Sequence, residues 1–142
     1  MRKTPPVPTG QATMPQDSVR ILIADDDRLF ARMLRAQLST QPHFEIVGIA
    51  DGGREAVTLA EELHPDVIVM DVNMPGLDGI DATQQIRELP GSPKVVLVTG
   101  AEEDFGARPY EAGAAAYLRK SLEVVGLIDV IVAVSQLAGA GA

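Results

Sequence analysis

Two hydrophobic rhythms alternate along this chain. Short, mostly apolar runs, rich in Val, Ile and Leu, read as strands, the unbroken one at 67–70 as a strand buried on both faces. They fall at Val19–Ala24, Phe44–Ala50, 67–70, Lys94–Thr99 and 115–119. Between them, apolar residues recur at three- and four-residue intervals, which is the mark of an amphipathic helix. Leu29, Phe30, Met33, Leu34 and Leu38 line the first such helix, and Ala56, Val57, Leu59, Ala60 and Leu63 line the second after Gly52-Gly53. A third is expected over 80–89, stopped by Pro90-Gly91, and a last over 122–137.

Strands that alternate with helices over a whole chain imply a parallel sheet with helices on both faces. Right-handed crossovers then force the strand order to reverse, leaving a cleft at the C-terminal edge of the sheet. The expectation is an α/β, doubly wound, five-stranded parallel sheet. One segment breaks the rhythm: a fourth helix belongs between Thr99 and Ala115, yet 102–113 contains Gly106 and Pro109. A mid-helix proline costs about 3 kcal/mol, so this helix should be short, bent or late to begin.

Length and composition narrow the picture. With 142 residues there is room for one core. The domain is expected over 18–137, with a disordered tail over 1–17 holding Pro5, Pro6, Pro8 and Pro15, and a flexible tail over 138–142. No run of about 18 apolar residues marks a membrane span. The chain has no cysteine, which excludes disulfides and thiolate metal sites and suits a cytoplasmic protein. A net charge of −8 argues against direct nucleic-acid binding by this domain. Arg28, Arg32 and Arg35 recur at helical spacing, the ordinary outcome for a solvated helix face.

The candidate chemistry lies at the strand ends. Asp25, Asp26 and Asp27 follow the first strand, Asp71 the third, Thr99 ends the fourth and Lys120 follows the fifth. Two carboxylates about 4 Å apart repel by roughly 4 kcal/mol at an effective dielectric of 20, so such a cluster needs a proton, a lysine or a divalent cation. Oxygen ligands suit Mg²⁺ or Mn²⁺. Lys120 is one of three lysines and can meet a phosphoryl oxygen as a point charge, while Thr99 adds a hydroxyl. Together these groups suit a carboxylate that attacks phosphorus. Plainer roles stand beside these: Asp71 as a cap on the following turn, Asp27 as a helix cap, and Tyr117 as an ordinary half-buried strand aromatic. His43 and His64 precede strands in loops and read as solvated, and Met74 as loop packing.

The run from Ile23 to Phe30, the stretch 65–79 around Asp71, Val96-Leu97-Val98-Thr99, and the stretch from Ala112 to Lys120 resemble the receiver domain of two-component response regulators. The wording is most similar to receivers of helix-turn-helix transcription regulators. The resemblance covers roughly residues 18 to 137 and implies a flavodoxin-like receiver fold. It implies that Asp25 and Asp26 bind the metal, that Asp71 accepts a phosphoryl group from a histidine kinase or phosphotransfer protein, and that the backbone carbonyl of Asn73 ligates Mg²⁺. It further implies that Thr99 and Lys120 grip the phosphoryl group, and that Tyr117 turns inward when Thr99 moves. Output then passes to a downstream effector protein through the face around the fourth helix, fifth strand and fifth helix, with homodimerisation on phosphorylation left open.

This chain departs from that pattern at Ser121, where many receivers carry a cis proline, and at Pro109, within the element that transmits the signal. A stand-alone phosphoacceptor rather than an enzyme is the expectation, with the excised receiver of a DNA-binding regulator as the alternative. An aspartate-nucleophile phosphatase is less well matched, because Leu29 stands where such enzymes need a hydroxyl residue. A nucleotide- or flavin-binding module would place Gly, Ser or Thr, not three aspartates, after the first strand.

Overall fold

The computed structural model describes residues 18–100, 104–120 and 125–140. Elements follow in the order β1 (Val19–Ala24), α1 (Arg28–Leu38), β2 (Phe44–Ala50), α2 (Gly53–Leu63), β3 (Val67–Asp71), α3 (Gly79–Arg87), β4 (Lys94–Thr99), α4 (Arg108–Glu111), β5 (Ala116–Arg119) and α5 (Val125–Ala140). The five strands form one sheet in the order β2-β1-β3-β4-β5, with every neighbouring pair parallel. This is the doubly wound α/β architecture that the alternating pattern predicts.

Strand side chains alternate between the two faces, so the sheet builds two cores. Ile21, Ile23, Val67, Val69, Val96 and Val98 pack with Ala31, Leu34 and Leu38 of α1 and with Ile131 and Val134 of α5. Leu22, Ala24, Ile68, Met70, Val95 and Leu97 pack on the other face with Ala56 and Ala60 of α2, Ile80, Ala82 and Ile86 of α3, and Ala112 just past α4. Each large aliphatic chain removed from water stabilises the fold by about 1.5–3 kcal/mol.

Four expectations need correction. Leu29 is not on the buried side of α1: it is 74% exposed, since the buried stripe is Ala31, Leu34 and Leu38 and Leu29 lies about half a helical turn away from it. The third helix begins at Gly79 and ends at Arg87, two residues before the expected Leu89, in a turn where Leu89 N–H meets the Ile86 carbonyl at 3.0 Å. The last helix passes Leu137 and runs to Ala140, so the flexible tail expected over 138–142 is helical for its first three residues; alanine, the best helix former, stands at 138 and 140. Pro109 does not interrupt a helix, because α4 is one turn that starts at Arg108 and holds the proline at its outset, where a missing N–H costs nothing. The expectation of a short, late helix holds. The expected tail over 1–17, Ser121 and Leu122 lie outside the described residues.

The reversal of strand order falls between β1 and β3, whose neighbours lie on opposite sides. Ligand crevices of open α/β sheets form outside the carboxyl ends of strands at such a point. Asp25 follows β1 directly and Asp71 ends β3.

Candidate functional site

Asp25 and Asp71 reach the rim from two neighbouring central strands, and both are themselves buried, with 2% and 5% of their surface exposed. Asp26, between Asp25 and the helix cap, is exposed. One carboxylate oxygen from each of Asp25, Asp26 and Asp71 lies within 4.8 Å of the others. Lys120 enters from the end of β5, its backbone N–H donating to the Thr99 carbonyl at 2.8 Å. Its Nζ lies 2.9 Å from Asp25 Oδ2 and 3.7 Å from Asp71 Oδ2.

The surroundings of each carboxylate explain its protonation. Burial first and the Asp25 charge second raise the Asp71 pKa to about 6, against the pull of Lys120 and a backbone N–H from Asn73. Burial also raises Asp25, opposed by the N–H of Asp27 and by Lys120. Lys120 is desolvated, which lowers it, but its ion pair with Asp25 and the charge of Asp71 outweigh that and hold it above its ordinary value. Three ionised carboxylates and one ammonium leave a net charge of −2.

One atom of the site stands out. Asp25 Oδ2 is buried without a hydrogen bond of good geometry, although Lys120 Nζ approaches to 2.9 Å, so the ammonium meets it as an off-line point charge. A buried carboxylate oxygen short of a donor, in an all-oxygen cluster of net charge −2, fits a hard divalent cation. The cluster is able to hold such an ion.

Neighbouring loops fix the acids through backbone contacts. Asp27 caps α1, accepting the Phe30 N–H at 3.1 Å, which is the cap role expected of it. Asp71 does not cap the following helix: Asp78 does so, accepting the Asp81 N–H at 2.8 Å. The Asp71 carboxylate accepts the Asn73 N–H at the start of the following turn, the plainer role expected of it, and it also faces the cluster. Glycine at 53 and 79 lets the starts of α2 and α3 press against the backbone of Leu77 and Asp71, where any β-carbon would collide.

The remaining candidates lie around this centre. Thr99 ends β4 and is buried. It lines a cleft of about 290 Å³ with Asp104, Tyr117, Leu118 and Arg119. Tyr117 is half-buried and meets Phe105 edge-on, with ring centroids 6.3 Å apart. Asn73 is exposed on the loop after β3, two residues beyond Asp71, and Met74 is buried in the core below it. His43 and His64 are exposed, as expected; His64 also closes α2 in a left-handed conformation, φ 51°. Arg28, Arg32 and Arg35 are exposed too, and Arg28 pairs loosely with Asp51 at 3.4 Å.

Sequence reasoning missed three contributors. Asp78 carried a visible signal, an aspartate directly before a helical repeat. Phe105 and Phe30 carried none: the ring of Phe30 lies 4.6 Å from Lys120 Nζ, a contact between residues ninety positions apart.

The sequence model of the response regulator receiver domain family matches residues 21–132. The chain is 42% identical over 119 residues to the transcriptional regulatory protein LiaR of Bacillus subtilis, covering 83% of this chain and 56% of that protein. It is 42% identical over 128 residues to the transcriptional regulatory protein PdtaR of Mycobacterium tuberculosis, covering 90% and 60% respectively. The chain thus spans a little over half the length of these relatives. Among solved structures, a LuxR-family two-component response regulator from an Aurantimonas species superposes with a TM-score of 0.78 at 32% identity, covering 84% of this chain and 86% of that one. Among the described residues, no helix is long and apolar enough to cross a membrane.

Proposed function

The chain belongs to the response regulator receiver domain family, and from that membership we propose that Asp71 is the phosphoacceptor of a two-component signalling switch. A histidine kinase or phosphotransfer protein is the donor. An Asp71 carboxylate oxygen bonds to phosphorus as the P–N bond of the donor phosphohistidine breaks, and the released imidazole takes up a proton. The observation that carries this reading is the meeting of Asp25, Asp26 and Asp71 within 4.8 Å, with Lys120 reaching both buried acids.

Asp25, Asp26 and Asp71, with the backbone carbonyl of Asn73, would hold Mg²⁺, or Mn²⁺ in its place, which when bound supplies positive charge against the phosphoryl oxygens. Lys120 and the Thr99 hydroxyl grip the same oxygens from the side of β4 and β5. The lysine would exchange part of its contact with Asp71 for the phosphoryl group, and Thr99 would draw towards it. Tyr117, which shares a cleft with Thr99, is the proposed follower of that movement. The altered surface around α4, β5 and α5 is then read by a downstream effector protein.

A second reading keeps the same chemistry but couples it to a DNA-binding output. It is favoured by the names of the relatives, which are transcriptional regulatory proteins. In both readings the chain modifies only its own aspartate.

Incubation with Mg²⁺ and acetyl phosphate followed by intact mass measurement tests the proposal. The expected result is the addition of one phosphoryl group that the Asp71→Asn variant does not acquire. No adduct, or an equal adduct on the variant, would overturn it.

A further inference from the structure

The position of Lys120 Nζ is set by more than the acids. It lies 2.9 Å from Asp25, 3.7 Å from Asp71 and 4.6 Å from the centroid of the Phe30 ring. A cation over an aromatic face is attracted by the negative face of the ring, more strongly where water is reduced, and the Lys120 side chain is only 19% exposed. With the acids as its sole anchors, a lysine stem with four rotatable bonds would be free to keep its contact with Asp25 while swinging its Nζ away from Asp71. The ring supplies a further anchor of a different kind.

The phase of α1 decides whether that ring is there. Leu29, one residue earlier, is 74% exposed, whereas Phe30 is half-buried and packed against the core. The phase is held by the cap, because Asp27 Oδ1 accepts the Phe30 N–H at 3.1 Å while the Asp27 N–H donates to Asp25 Oδ1 at 2.9 Å. Asp25, Asp27, Phe30 and Lys120 therefore close a ring of contacts, in which the acid that attracts the ammonium also orients the helix that carries the aromatic face.

We propose that Phe30 is a positioning residue whose ring holds the Lys120 ammonium between Asp25 and Asp71, within reach of a phosphoryl group on Asp71. This rests on the reading of Asp71 as phosphoacceptor. The ring touches no reacting atom. It holds the ammonium where it meets Asp25 at 2.9 Å and still lies 3.7 Å from Asp71.

The test compares Phe30→Leu, which keeps apolar bulk and removes the ring face, with Phe30→Tyr, which keeps the face. Phe30→Met repeats the first substitution with a second apolar side chain, so a leucine variant that fails to fold does not end the comparison. Each is incubated with Mg²⁺ and acetyl phosphate and weighed over time; the Asp71–phosphorus bond forms as the acetyl oxygen–phosphorus bond breaks and acetate leaves. The apolar variants are expected to acquire the phosphoryl group about five- to tenfold more slowly, and Phe30→Tyr to restore the rate to within about twofold. Independently, the Lys120 Cε protons should show an upfield ring-current shift in the wild type and the tyrosine variant that is lost in the apolar ones, without phosphodonor or metal. Wild-type rates in the apolar variants, a tyrosine variant as slow as leucine, or no ring-current shift in the wild type would each overturn the inference. A wild type that gains no phosphoryl mass would instead overturn the phosphoacceptor reading, and the ring-current shift would still judge the contact.

Discussion

The carbonyl oxygen of Asp71 stands where a β-carbon on residue 79 would have to go, and the Cα of Val72 blocks the same space. Gly79 N–H donates to the Val72 carbonyl at 2.8 Å, so α3 begins pressed against the end of the strand that bears the acid. All of these atoms are backbone, and none can rotate aside. Gly79→Ala should therefore destabilise the fold by about 1–3 kcal/mol, although alanine is the better helix former elsewhere. Urea unfolding at pH 7.5 checks this; an unchanged or raised midpoint would show that the helix start can slide away.

Asp71 makes stability depend on pH. Its pKa rises from 3.8 to about 6 in the fold, through burial first and the Asp25 charge second. The folded state thus holds the proton more tightly across that window, so this group's contribution is fully present below 3.8 and is lost as pH rises through 6. Asp71→Asn removes the dependence. The variant should match the wild type near pH 4 and exceed it by roughly 1–3 kcal/mol at pH 7.5. A variant less stable than wild type at pH 7.5 would mean that the pull of Lys120 outweighs burial.

Most of the sheet was legible because each central strand is an apolar run that only double-sided burial explains. Asp71 was legible for the same reason, as a carboxylate that ends such a run at a turn. The end of α3 and the exposure of Leu29 were not, since apolar spacing reports a helix without fixing its last turn or the centre of its buried stripe. The brevity of α4 was readable from Pro109, but its place at the start of the turn was not. Phe30 beneath Lys120 was beyond reach, because a pair contact across ninety residues leaves no local pattern.

The site carries three carboxylates against one ammonium. A bound dication should therefore stabilise the fold, by about 1.4 kcal/mol at tenfold excess over its dissociation constant. Thermal unfolding during Mg²⁺ titration, with NaCl at matched ionic strength, is the measurement. Asp26→Asn should shift the response to higher Mg²⁺. Equal stabilisation by NaCl alone would reduce the effect to screening.

Arg20 separates stability from signalling. Its Nη1 donates to the Leu63 carbonyl at 2.6 Å and the His64 carbonyl at 2.8 Å, closing the end of α2. It sits early in β1, away from the carboxyl end that holds the acids. Arg20→Ala should cost about 1–3 kcal/mol by leaving those carbonyls without their charged donor. Well below the melting midpoint it should leave phosphoryl acquisition by Asp71 unchanged. A slowed reaction at intact stability would reveal coupling across the sheet.

Thr99 and Tyr117 line one cleft, and Tyr117 rests edge-on against Phe105 in the segment before α4. If the proposed switch runs from the phosphoryl group through the Thr99 hydroxyl, removing that hydroxyl should cut the relay without abolishing the chemistry. Thr99→Val keeps the shape and the strand preference of a β-branched residue. The variant should still gain one phosphoryl group, because Asp71 and Lys120 are untouched. In the wild type, phosphorylation should shift the Tyr117 ring resonances; in Thr99→Val that shift should fall to less than about half, as expected of a two-state element that has lost its bias. An equal shift in both proteins would place the relay elsewhere, with Lys120 the next group to examine, since its backbone N–H already joins β5 to the Thr99 carbonyl.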